Sequence, residues 1–119
     1  MTILVSVLST GKGTWGRVFA LSRAFEWKKI ILIGDSFVKQ RFTPGPNDVF
    51  VEVDFSKEII GLKKDIYEKV NEMIDYPEVA LNICSGEGKI HAALISALLS
   101  CGCAIRFVEL DNEGKVIEV

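Results

Sequence analysis

Apolar residues are distributed along this chain in two formats that alternate. Short unbroken runs suit strands buried on both faces of a sheet, and longer stretches with an apolar residue at every third or fourth position suit amphipathic helices. Runs at residues 2–8, 29–33, 48–53 and 78–84 predict four buried strands. Between the first two, Val18, Phe19, Leu21, Ala24 and Phe25 recur at helical spacing and predict a helix over 14–26. A short helix is expected from Asp35 to Phe42, ended by the turn cluster Thr43-Pro44-Gly45-Pro46-Asn47. Ser56 is a candidate N-cap for a long helix with Ile59, Leu62, Ile66, Val70 and Met73 on one face, ending near Asp75 before Pro77. After the fourth strand, residues 89–101 form a helix that is apolar nearly all round. The tail, 103–110 and 115–119 about Asp111-Asn112-Glu113-Gly114, reads as a β-hairpin.

Strands alternating with helices imply an α/β fold: a Rossmann-like, doubly wound, mostly parallel sheet with helices on both faces and a C-terminal antiparallel β-hairpin at the edge. The usual order of such a sheet sets strand 1 beside strand 4, and ligands bind in the crevice at the carboxyl ends of that pair. A helix as apolar as 89–101 must be covered on more than one side, by the sheet and by another helix or a second subunit.

At 119 residues and 49% hydrophobic composition the chain has material for one core, so a single domain over 1–119 is expected. Burial of further surface by association makes a homodimer the expected state. A net charge of −2 and a pI near 5.4 disfavour bulk affinity for duplex nucleic acid, which needs a broad basic face. The first residues lack a basic leader and no apolar run is long enough to span a membrane, so a cytoplasmic location is expected. Cys84, Cys101 and Cys103 sit among apolar neighbours without a CxxC pair; reduced buried thiols, and no metal, are expected.

The chemistry concentrates in two glycine-rich, lysine-bearing turns. Ser9-Thr10-Gly11-Lys12-Gly13-Thr14 follows strand 1, and Ser85-Gly86-Glu87-Gly88-Lys89 follows strand 4. A glycine turn opening a helix leaves amides unpaired at the positive end of the helix dipole, and a nearby lysine adds a full charge. Each turn is therefore a candidate phosphate cradle, and strand order makes the two converge. Lys12 and Lys89 are the candidate phosphate contacts. Ser9, Thr10 and Ser85 are hydroxyl donors that serve equally as helix caps. His91, in the first turn of its helix, is expected to be neutral and hydrogen-bonded, because a positive helix end disfavours the imidazolium. Arg17 either reinforces this pocket or faces water. Trp15 is a candidate for stacking on a base, and Trp27 for packing where the first helix meets strand 2. Glu87 is discordant, since a carboxylate in an anion loop repels the guest unless it points away.

Gly11, Gly13 and Gly16 also match the spacing of a dinucleotide-binding turn, with Asp35 near the place of a ribose-binding acid. That reading competes with Asp35 as a helix-start residue, and no second domain is present to hold a substrate against a nicotinamide. A mono- or dinucleotide module and a non-catalytic interaction subunit remain as alternatives.

The Ser/Thr-rich first loop and the run Asn82-Ile83-Cys84-Ser85-Gly86-Glu87-Gly88-Lys89, opening a small-residue helix before a late strand pair, resemble a CARF domain, the CRISPR-associated Rossmann fold. Members of that family carry an Asn-x-Thr-Gly-Gly-Thr-Lys-like run at this point. Aligning Ser85, Gly86 and Lys89 on its Thr, first Gly and Lys leaves Asn82 one residue out of register and puts Glu87 where glycine belongs. The resemblance covers most of the chain and implies a two-fold dimer, antiviral signalling and a cyclic oligoadenylate as ligand, with no cofactor. The implied ligand contacts are Ser9, Thr10, Gly11, Gly13, Thr14, Gly86, Gly88 and His91. It also permits metal-independent ring cleavage by a ribose 2′-OH, for which Lys89, Lys12 and Ser85 are the candidate catalytic residues.

Overall fold

The computed structural model describes residues 2–9 and 12–119. Met1, Thr10 and Gly11 lie outside the described residues, as does the side chain of Lys12. The sheet has six strands: β1 Ile3–Val7, β2 Lys29–Gly34, β3 Asp48–Glu52, β4 Glu78–Asn82, β5 Ala104–Leu110 and β6 Val116–Glu118. Their order is β3-β2-β1-β4-β5-β6, parallel throughout except for β6, which returns antiparallel to β5. Strand β1 is central, with Val5 in register with Ile31 on one side and Leu81 on the other. This is the doubly wound, Rossmann-like architecture expected from the alternating pattern, with the hairpin at the edge.

Side-chain alternation divides the core. Ile3, Val5 and Val7 join Val79 and Leu81 beneath helices α3 (Ile59–Val70) and α4 (Gly88–Ser100), whose Leu62, Ile66, Leu94 and Leu98 are fully buried. Leu4, Leu8 and Leu32 lie with Trp15, Val18 and Leu21 of α1 (Trp15–Arg23) and Val38 of α2 (Ser36–Arg41) on the other face. Helix α4 is thus covered by the sheet on one side and α3 on another, as its composition requires, while Leu99 stays exposed. Trp27 is buried, and its indole N–H donates to Leu21 O at 3.1 Å where α1 hands over to β2.

The largest differences from the expected boundaries are at the ends of α1 and α3. Helix α1 ends at Arg23 because Ala24 caps it by donating to Leu21 O. Helix α3 begins at Ile59 rather than after Ser56, because Ser56 donates both its amide and its hydroxyl to Asp54 Oδ1. That local turn competes with helix and delays its start. Helix α3 then gives way at Asn71–Met73 to a single 3₁₀ turn, short of Asp75. Among the described residues, no helix is long and apolar enough to cross a membrane.

Candidate functional site

Parallel strands put every strand-to-helix loop of the doubly wound part on one edge, so the loops after β1 and β4 are neighbours. The structure joins them directly. Ser85, 1% exposed, accepts the Ser9 amide on its Oγ at 3.1 Å, and the two hydroxyls are hydrogen-bonded at 3.1 Å. Beneath them Ser6 Oγ, also buried, donates to Asn82 O. The Trp15 indole N–H donates to Ser9 O from below the loop, which fixes a nearly buried ring and makes it a prop for the first loop. Lys12 to Thr14 form a short 3₁₀ turn, with Thr14 at the N-cap position of α1.

The second loop is shaped by Gly86, whose φ of +102° belongs to glycine. A Cβ there would lie 3.0 Å from His91 Nε2 and 3.1 Å from Val7 Cγ1. His91 Nε2 lies 2.7 Å from Ser85 O, so that nitrogen carries the proton in the bond and the ring braces the turn. Glu87 occupies the N-cap of α4, and its carboxylate makes no capping bond. The first intrahelical bond runs from His91 N to Glu87 O, leaving the preceding first-turn amides at the positive end of the helix. At Gly88 and at Gly13 an added Cβ would meet nothing within 4 Å, so the approach to both loops is open.

The cations of this edge are unequally occupied. Lys57 is paired with Asp65, and Lys39 with Glu52 at 3.2 Å. Lys89, half-buried, donates instead to the neutral carbonyl of Phe55 at 2.7 Å, on the β3–α3 turn. Among the described residues no carboxylate pairs with it. Arg17 is exposed and pairs with the half-buried Glu109 at 3.3 Å, the option of facing water. Asp35 caps α2, accepting Val38 N at 3.1 Å, the helix-start role rather than that of a free acid at the end of β2.

Sequence reasoning missed two connections. Asn82, 2% exposed, spans the end of β4: its amide donates to Val108 O at 2.9 Å and its Oδ1 accepts Cys84 N at 3.2 Å. An asparagine closing an apolar strand run was the available signal. The Lys89–Phe55 bond joins segments 34 residues apart and had none. Cys103 is buried and Cys84 and Cys101 are half-buried, all free, and burial pushes each thiol above its ordinary range. No group of three or more His, Cys, Asp or Glu suited to a metal occurs among the described residues.

Open clefts lie outside the two glycine loops. One, of about 490 Å³, lies at the carboxyl ends of β2 and β3 among Asp35, Glu52, Asp54, Lys57, Asp65 and Lys69. The other, of about 530 Å³, lies at the opposite edge, where α1 and α2 end, among Arg23, Arg41, Phe42 and Asp48.

No protein-family model matches the chain, and no curated protein does. Among solved structures it is similar to Csm6 of Enterococcus italicus bound to cyclic hexa-2′-fluoro-hexa-dAMP. The TM-score is 0.58 at 16% identity, over 98% of this chain. The likeness is one of fold. This chain spans about a third of that protein, 35% of its length.

Proposed function

We propose that residues 1–119 form a CARF-like domain that binds a cyclic oligoadenylate at the carboxyl edge of β1 and β4, working as a cytoplasmic homodimer in CRISPR-type antiviral signalling. The observation that carries the reading is the hydrogen-bonded union of the two glycine loops through Ser9 and Ser85. It brings one helix start with open first-turn amides beside a second glycine turn, a setting for more than one phosphate. Lys89, paired with no carboxylate among the described residues, supplies the charge, and Lys12 is its counterpart on the first loop. The fold likeness to a chain with a cyclic nucleotide bound supports the same ligand class.

In this reading Ser85 acts through Ser9, since its hydroxyl is buried, Ser9, Gly13, Thr14, Gly86 and Gly88 contact the ligand with His91 bracing the second loop, and Thr10 and Gly11, outside the described residues, are proposed as further contacts. Ring cleavage is a further step of the same proposal. A ribose 2′-OH held in line attacks the adjacent 3′-phosphate, the P–O5′ bond breaks to leave a 2′,3′-cyclic phosphate, the departing 5′-oxygen ends as a hydroxyl with the proton given up by the 2′-OH, and Lys12 and Lys89 stabilise the charge that develops.

Thermal-shift measurements with cyclic tetra- and hexa-adenylate, NAD, NADP and ATP test the reading, because a ligand of the native state raises its stability by mass action. A rise with a cyclic ring alone is expected. A rise with NAD alone favours the dinucleotide alternative, and none with any ligand favours an interaction subunit. Incubation with the rings in EDTA, followed by chromatography, separates a ring nuclease from a sensor.

A further inference from the structure

The lysine assigned to phosphate is held by a segment outside both glycine loops. Phe55, whose carbonyl takes one proton of the Lys89 ammonium at 2.7 Å, lies in the turn between β3 and α3. An ammonium has three protons, so two remain for a ligand. The direction of the Phe55 carbonyl is set by its neighbours. Asp54 Oδ1 accepts the Ser56 amide at 2.9 Å and the Ser56 hydroxyl at 2.6 Å, and Lys57 N closes the turn on Asp54 O at 3.2 Å. Hydrogen bonding to Ser56 depresses the Asp54 carboxyl below its ordinary range, with smaller contributions from Lys57 and Lys89, so this acceptor stays ionised at neutral pH.

We propose that Asp54 is a positioning residue of the ligand site: it folds the 54–57 turn so that the Phe55 carbonyl holds the Lys89 ammonium at the start of α4, an inference that rests on the ligand-binding reading above. The site then has three loops, those after β1, β3 and β4. Lys89 is pre-oriented before ligand arrives, which spares the ligand the cost of ordering a long side chain.

Charge and geometry make opposite predictions, and this gives the test its power. Asp54 is an anion in the neighbourhood of Lys89, so removing it for electrostatic reasons alone should tighten the binding of an anionic ring. Removing it as a positioning residue should weaken binding. Asp54→Asn keeps an Oδ1 acceptor for Ser56 and deletes only the charge.

Calorimetric titration of cyclic hexa-adenylate into the wild-type chain, D54A, D54N, K89A and D54A/K89A measures this. D54A is expected to bind about three- to tenfold more weakly, D54N as well as wild type or better, and D54A/K89A no more weakly than K89A. Tighter binding by D54A, equal weakening by D54N, or additive losses in the double variant overturns the inference and leaves the reading of the site intact. A wild-type chain that binds no ring overturns that reading and the inference with it. Amide exchange at Ser56 and Lys57 in the unliganded protein is expected to rise in D54A and stay low in D54N. Unchanged exchange in D54A is a second overturning result.

Discussion

The Ser9 amide donates to the Ser85 hydroxyl at 3.1 Å, across 76 residues of sequence, and by that bond the loops after two adjacent parallel strands become one surface. The hydroxyl is buried, so removing it strands the Ser9 amide and leaves a small void. Ser85→Ala is expected to lower stability by about 0.5–1.5 kcal/mol, the ordinary net worth of a hydrogen bond whose donor is part-buried. Ser9→Ala removes only a half-exposed hydroxyl, and denaturant unfolding should show the smaller loss for it.

Gly86 and Gly88 make a matched pair. Gly86→Ala forces a side chain into a positive-φ position already crowded by His91 and Val7, and is expected to cost about 1–3 kcal/mol. Gly88→Ala enters open space in the first turn of α4 and leaves the unfolding midpoint equal or higher. If a phosphate rests on that helix start, the same silent methyl weakens ring binding. A Gly88→Ala variant with full stability and full affinity removes the α4 start from the site.

Most of the fold could be read from the chain. Unbroken apolar runs and helical spacing report burial, and burial governs strands such as Ile3–Val7 and helices such as Gly88–Ser100. The adjacency of β1 and β4 followed from topology rules. The details that failed are those in which polar side chains choose among local partners. Ser56 bonds back to Asp54 instead of capping α3. The Lys89–Phe55 bond depends on where two loops meet in space, and no spacing along the sequence encodes it.

Lys89→Ala is expected to weaken ring binding about ten- to a hundredfold, the worth of a charge-assisted contact of about 1.5–3 kcal/mol. The fold should persist, because the side chain is half-exposed and the acceptor it meets among the described residues is a neutral carbonyl. Circular dichroism and a binding titration on the same sample separate the two effects.

The three thiols supply a pH test. Burial raises each above the ordinary thiol value, so thiolate is scarce at pH 8 and alkylation is slower than for free cysteine. Since the folded state favours the neutral thiol, this contribution to stability is complete below the ordinary thiol pKa and is lost as pH rises through the raised values. Timed iodoacetamide labelling of the native chain is expected to spare Cys103 longest, as the least exposed of the three.

The claim that two glycine loops form a phosphate-binding surface shared across a two-fold dimer is tested most directly by the stoichiometry of ring binding. Calorimetric titration of the purified chain with cyclic hexa-adenylate should give a saturable transition at one ring for every two chains. Saturation at one ring per chain contradicts the two-fold arrangement, and the absence of any binding heat or thermal stabilisation contradicts the ligand class itself.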